Sequence, residues 1–127
     1  SEQVAQAQSK RLEKESLYRQ VREARQRNAS LDTIPDLVRY PLVSELKSRE
    51  VAAQKRLTEL SARYGPQHPS MVNARAEAES AATALRGQLD QIADTISREY
   101  ESAQAVERKL NGELNAAKAQ LQQEGRQ

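Results

Sequence analysis

The sequence contains no cysteine, no phenylalanine and no tryptophan, and its only aromatic residues are four tyrosines in 127 positions. Without cysteine there is neither a disulfide nor a thiolate metal site, and nothing fixes the redox compartment. Without large aromatics a compact globule of this length has little to fill its core. No run approaches the roughly 20 apolar residues that cross a bilayer, and no signal-peptide pattern opens the chain. An excess of one charge is also missing: 20 basic side chains stand interspersed with 18 acidic ones, a net charge of +2. Tracking a nucleic acid needs a concentrated basic stripe, so the balance speaks against that class of partner. The sequence holds no phosphate-cradling glycine loop, no nucleophile with a base and an orienter, and no pair of histidines four residues apart. Catalytic, cofactor and metal sites are therefore not expected, and the segment reads as a non-enzyme.

What is present is material for helices. The apolar residues, 37% of the chain, are mostly Ala, Leu and Val set among Gln, Glu, Lys and Arg. Long helices packed along narrow seams use this mixture. Residues 1–29 read as a first helix without Gly or Pro. Its apolar set, Val4, Leu12, Leu17, Tyr18, Val21 and Ala24, keeps helical spacing from Leu17 onward and slips before it. Residues 30–40 read as a linker: Pro35 and Pro41 disfavour helical geometry at Ile34 and Tyr40. The stretch between them suits a single turn capped by Asp32 or Asp36. Leu31, Ile34, Leu37 and Val38 would anchor this linker, for a solvated loop has no use for four such side chains.

A second helix, 41–64, should open with Pro41 at its first position, where the missing amide proton costs nothing. Its seam runs through Leu42, Leu46, Ala53, Leu57, Leu60 and Tyr64, with Glu50 in the polar slot. Residues 64–69 form the expected hairpin turn: Gly65 supplies a left-handed residue, Pro66 prevents continuation, and Pro69 starts the third helix after about three residues. A connection that short folds two helices back antiparallel. The third helix, 69–124, would be about 80 Å long. A strict seven-residue repeat from Met71 places Arg75, Ala78, Ala82, Leu85, Leu89, Ile92, Ile96, Glu99, Ala103, Val106, Leu110, Glu113 and Ala117 on its seam, a left-handed coiled-coil pattern. The expected fold is all-α: a long antiparallel coiled-coil hairpin in which the first helix continues the line of the second and both face the third. Folding the first helix back at the linker gives the alternative, a three-helix bundle. The whole of 1–127 then reads as one coiled-coil segment, and its ends inside helix-forming sequence suggest a piece excised from a longer protein.

Three stretches carry a resemblance. LSARYGPQHPSMVNARAE, residues 60–77, resembles the "YGP.HP" signature of the Wzz/Wzc-like chain-length determinant family, the polysaccharide co-polymerases of bacterial exopolysaccharide and capsule export. LDTIPDLVRYPLVSELKSRE, residues 31–50, and ISREYESAQAVERKL, residues 96–110, are similar to two further family stretches, and all three occur in family order. One departure is Tyr40, where the family often has Ser or Asn and so gains a helix cap that Tyr cannot supply. The resemblance implies a periplasmic segment of an inner-membrane protein whose transmembrane helices, and often a cytoplasmic tyrosine-kinase domain, lie outside this sequence. It further implies a homo-oligomeric ring that sets polysaccharide length or export. A polymerase, an outer-membrane exporter and nascent polysaccharide would be its partners, with membrane contact only through flanking segments.

At the turn, Arg63, Tyr64, Gly65, Pro66, His68 and Pro69 are the candidate partner contacts. The simpler reading makes Tyr64 the last seam residue and His68 a turn residue bonded to backbone at the start of the third helix. Glu50, Glu99, Glu113 and Arg75 read either as buried register-setting pairs or as seam-edge residues with their heads in water. Asn28-Ala29-Ser30 matters as a sequon only in a glycosylating pathway. Two other functions fit a helical hairpin: an arm that grips RNA through a basic face, and the hairpin of a periplasmic export adaptor that reaches a channel with its tip.

Overall fold

A computed structural model describes residues 1–125, two short of the 1–127 segment read from the sequence, and shows helices packing on helices with no strand among the described residues. The elements are α1 (Glu2–Gln26), a 3-10 turn (Leu31–Thr33), α2 (Pro35–Val38), α3 (Pro41–Ser61) and α4 (Pro69–Gly125). The all-α expectation holds. By packing, the chain divides into two compact units, Ser1–Glu23 with Ala93–Gln127, and Ala24–Ile92.

In the first unit, Arg11 of α1 reaches Glu107 of α4, Lys14 reaches Glu99, and the Tyr18 ring lies on Tyr100. Ascending numbers on α1 meet descending numbers on α4, so the two run antiparallel. The apparent slip in the α1 seam disappears here. Its inward positions are Val4, Ala7, Arg11, Lys14, Tyr18 and Val21, alternating steps of three and four. Two slots are filled by cations, while Leu12, which the apolar count had included, is 51% exposed.

In the second unit, α1 ends at Gln26, three residues before the expected boundary. Asn28 adopts a positive φ of 55°. The Ala29 N–H donates to the Ala24 carbonyl at 2.8 Å and the Asn28 N–H to the Arg25 carbonyl at 3.2 Å. This is the Schellman closure, with Asn in the left-handed position more often held by Gly. The linker is itself mostly helical, and Ile34 and Tyr40, extended at ψ 111° and 129°, are its breaks. Leu31, Ile34 and Leu37 are buried, Leu37 completely, and α2 packs on the 3-10 turn and on α3. The α2 N-cap is Ile34, with no side-chain bond. Neither Asp32 nor Asp36 caps it as expected, because their carboxylates are taken by Lys47 and Arg39.

Pro41 stands at the first position of α3, and the helix stops at Ser61 rather than residue 64. Its inward residues are Val43, Leu46, Glu50, Ala53, Leu57 and Leu60. Val43 is fully buried and Leu42, which the sequence reading had placed on the seam, is 47% exposed. Starting at Val43 the steps of three and four alternate without a break, whereas Leu42 required two successive steps of four. Leu46 and Arg49 line one hollow with Ala76, Ser80 and Ala84 of α4. Here too ascending numbers on α3 meet a returning α4.

The α4 seam departs from a strict seven-residue repeat. Met71, Ala78, Leu85, Leu89, Ile92, Ile96 and Ala103 are buried as expected, and Ala82 and Leu110 are partly covered. Ala74 takes the place of Arg75, Tyr100 that of Glu99, Glu107 that of Val106, and Leu114 that of Glu113; Val106 is 49% exposed, and Ala117 is also exposed. Twelve inward steps carry the seam from Met71 to Leu114, which is closer to the 3.6 residues per turn of a straight helix than to 3.5. A straight helix drifts about 20° per heptad against a strict repeat, so after four heptads the neighbouring residue faces inward.

Candidate functional site

The turn between α3 and α4 spans residues 62–68, longer than the expected three. It closes without any left-handed residue. The Ala62 N–H donates to the carbonyls of Glu59 and Leu60, and the Tyr64 N–H to Leu60 at 3.0 Å, so α3 tightens rather than reverses. Gly65 has no positive φ, and the left-handed role assigned to it is corrected. Its carbonyl instead accepts from the His68 N–H at 3.1 Å, closing a four-residue turn with Pro66 in the second position, where the fixed φ of proline fits.

His68 starts α4. Its carbonyl accepts from the N–H groups of Met71 and Val72, and its Nδ1 accepts from the Ser70 N–H at 3.1 Å. The ring thus satisfies one of the orphan donors at the head of α4, a task usually done by a Ser, Thr, Asp or Asn oxygen. Pro69, at the first helical position, needs no partner. The Tyr64 ring stacks on His68 with centroids 4.0 Å apart and planes 22° apart. Arg63, Tyr64, Gly65, Pro66, His68 and Pro69 are all exposed. Geometry therefore gives the turn a stacked, exposed aromatic pair; among the described residues no cluster of ligating side chains can hold a metal.

The charged seam candidates lie mostly in water. Arg75 and Glu113 are exposed, and Glu99 pairs with Lys14 at 3.0 Å while half exposed. Glu50 is partly covered and takes Lys47 at 3.1 Å. Lys47 also holds Asp32 at 2.7 Å, tying α3 to the linker; the ammonium and the Ser30 hydroxyl keep the Asp32 carboxyl below the usual range, and Asp32 and Glu50 push the Lys47 ammonium up.

The stronger polar cluster was invisible to a search for apolar periodicity. Arg11 bonds Glu107 at 2.6 Å and Glu15 at 2.8 Å, and all three side chains are about four-fifths covered. The Arg11 hydrogen bond holds the Glu107 carboxyl below its ordinary value, and Glu107 first, then Glu15, raises the guanidinium. Beside it the Tyr18 and Tyr100 rings stack at 4.3 Å, and Gln104 donates to the Tyr100 hydroxyl. The available sign was positional: Arg11 falls on the three-four path from Val4 to Val21, and Glu107 on the path from Ala103 to Leu110. Such reciprocal charges at facing seam positions fix register.

No family model and no solved structure matches the chain. It is similar to the succinoglycan biosynthesis transport protein ExoP of Rhizobium meliloti (strain 1021), with 35% identity over 69 residues. The matched region covers 54% of this chain and 9% of ExoP, so the chain spans less than a tenth of that protein.

Proposed function

We propose that the chain is a structural and assembly segment of a polysaccharide co-polymerase, acting in the chain-length control or export of a bacterial exopolysaccharide. The observation that carries this reading is the 69-residue similarity to a succinoglycan biosynthesis transport protein, together with the ordered Tyr64-Gly65-Pro66 and His68-Pro69 turn signature and its flanking stretches. The fold is suited to such work. α4 packs antiparallel against α1 in one unit and against α3 in the other, each through its own inward-facing residues. In this reading the segment stands in the periplasm, in an inner-membrane protein anchored by flanking segments. It assembles with further copies and works alongside a polymerase and an outer-membrane exporter.

The reading is tested in the organism that makes the protein. Leu85 and Leu89, each 3% exposed, are replaced together by Asp in the native protein, and its membrane level is checked by immunoblot. Burying two carboxylates at apolar sites destroys the packing. The expected outcome is exopolysaccharide of altered length or reduced yield at an unchanged level of protein. Polysaccharide of normal size and yield from cells carrying the disrupted segment would overturn the proposal.

A further inference from the structure

Val106 is an apolar residue that the strict repeat buries and the structure leaves 49% exposed. It forms part of the wall of a hollow of about 440 Å³ in the unit made of Ser1–Glu23 and Ala93–Gln127. That volume is in the range of small-ligand sites. The floor is apolar: Ala7 and Ala103 are buried beneath it. The rim is cationic. Lys10 and Lys14, one turn apart on α1, face Arg98 on α4, and the only carboxylate in the lining is Glu99.

The pairing within this rim is incomplete. Glu99 is held by Lys14 at 3.0 Å. Arg98 donates to the Thr95 hydroxyl at 3.3 Å and has no carboxylate at ion-pair distance among the described residues, and neither does Lys10. Three cations against one carboxylate leave the hollow with a surplus of two.

The chemistry that fits has three parts. An anionic group answers Lys10 and Arg98, the latter offering the paired donors that suit a carboxylate. A hydroxyl group answers the exposed hydroxyl of Ser102, and a flat C–H face lies on Val106 and Ala103. Three small apolar side chains offer too little area to anchor a partner helix, which needs large residues seated in pockets. Three cations in one hollow also fall short of the run of phosphate contacts that carries nucleic-acid binding.

The geometry points to a binding site for a carboxylate-bearing sugar unit of an acidic saccharide, held between Lys10 and Arg98 over Val106. The choice of a saccharide rests on the polysaccharide reading above; the carboxylate follows from the charge.

The test is an NMR titration of the ¹⁵N-labelled chain, at low salt because exposed charges are screened. The probe is a tetrasaccharide of uronic acid units, compared with its carboxyl-reduced neutral counterpart, with sodium acetate and with an acidic helical peptide. Saturable shifts confined to residues 7–14 and 95–106 are expected, at least tenfold weaker affinity for each of the other three probes, and a similar loss for the Lys10→Gln/Arg98→Gln variant, whose helicity is checked by circular dichroism. Absent or non-saturable shifts, shifts centred elsewhere, full binding by the variant, or equal affinity for the neutral sugar, acetate or the peptide would each overturn the site. This assay reads the site alone. Should it fail while the Leu85/Leu89 replacement still changes polysaccharide in cells, the site falls and the function stands.

Discussion

The two units of the chain hold α4 by different means. In Ala24–Ile92 the interior is aliphatic: Leu31, Ile34, Leu37, Val43, Met71, Leu85 and Leu89 are buried, and the ion pairs Asp32–Lys47 and Arg25–Asp90, which bridge elements, lie at its edge. In Ser1–Glu23 with Ala93–Gln127 the buried apolar residues are mostly small, Ala7, Ala93 and Ala103 with Val21 and Ile96. The space that larger aliphatics fill in the other unit is taken there by Arg11, Glu15 and Glu107 and by the Tyr18–Tyr100 stack. Aliphatic packing is strong and forgiving of register, because any Leu fits many holes. A guanidinium set between two carboxylates accepts one register. The contrast teaches that a single helix can be gripped for strength along one stretch and indexed along another.

The largest expected effect tests the aliphatic grip. Leu37→Ala removes a side chain with no exposure, in a four-residue helix that cannot collapse far around the hole. It should cost about 2–5 kcal/mol, read as a lowered urea midpoint at unchanged slope. A loss below about 1 kcal/mol would break the comparison, because the linker would then not be an anchor.

Acid should act on both units through different carboxylates. Glu107, held down by Arg11, and Asp32, held down by Lys47, have folded values below their unfolded ones, which are about 4.3 and 3.9. A carboxyl lowered in the folded state adds stability that is complete above its unfolded value and is lost as pH falls through the folded one. The melting temperature should therefore drop as pH falls below about 4, in the range where free carboxyls titrate. The slope should flatten in part for Glu107→Gln and in part for Asp32→Asn. The effect should stay below that of Leu37→Ala, since these pairs are partly solvated. A pH profile unchanged in both variants would show that neither pair contributes to stability.

Much of this fold was legible in the residues. Pro41 and Pro69 at first helical positions, the anchored linker and the buried run from Leu85 to Ile96 all follow from local chemistry that tertiary structure does not override. The illegible parts share a cause, the equation of seam with apolar residue. Arg11 and Glu107 lie on the seam and are charged, so the α1 pattern seemed to slip. The strict seven-residue count then placed Val106 inward, because it ignored the drift between 3.5 and 3.6 residues per turn. Asn28 ends α1 through a backbone geometry that Asn tolerates, a signal hidden by helix-forming composition free of Gly and Pro up to residue 29. Of the candidate turn residues, His68 was readable as a backbone partner of α4, whereas its stacking on Tyr64 depends on a three-dimensional path that no spacing rule encodes.

A double-mutant cycle on Tyr18 and Tyr100 sharpens the indexing half of the comparison. The rings stack at 4.3 Å across 82 positions of chain, so coupling between them can arise only when α1 and α4 hold their register. Replacing each by Leu, separately and together, should give a coupling of about 0.5–1.5 kcal/mol beyond the area lost. A coupling near zero would mean that the stack follows from the register and does not help to set it.

The smallest effect concerns the turn, which belongs to neither style of grip. If Gly65 were the left-handed stop that its place before Pro66 suggests, Gly65→Ala would strain the backbone and destabilise the chain. The structure gives it no positive φ, and a methyl group there would meet nothing within 4 Å. Alanine has fewer conformations to lose on folding than glycine, so the substitution should be neutral or stabilise the chain by about 0.4–1 kcal/mol in thermal unfolding. The residue before a proline is biased to extended geometry in any case, a conformation alanine shares. Destabilisation by more than about 1 kcal/mol would restore the left-handed closure and, with it, the shorter turn that the sequence alone suggested.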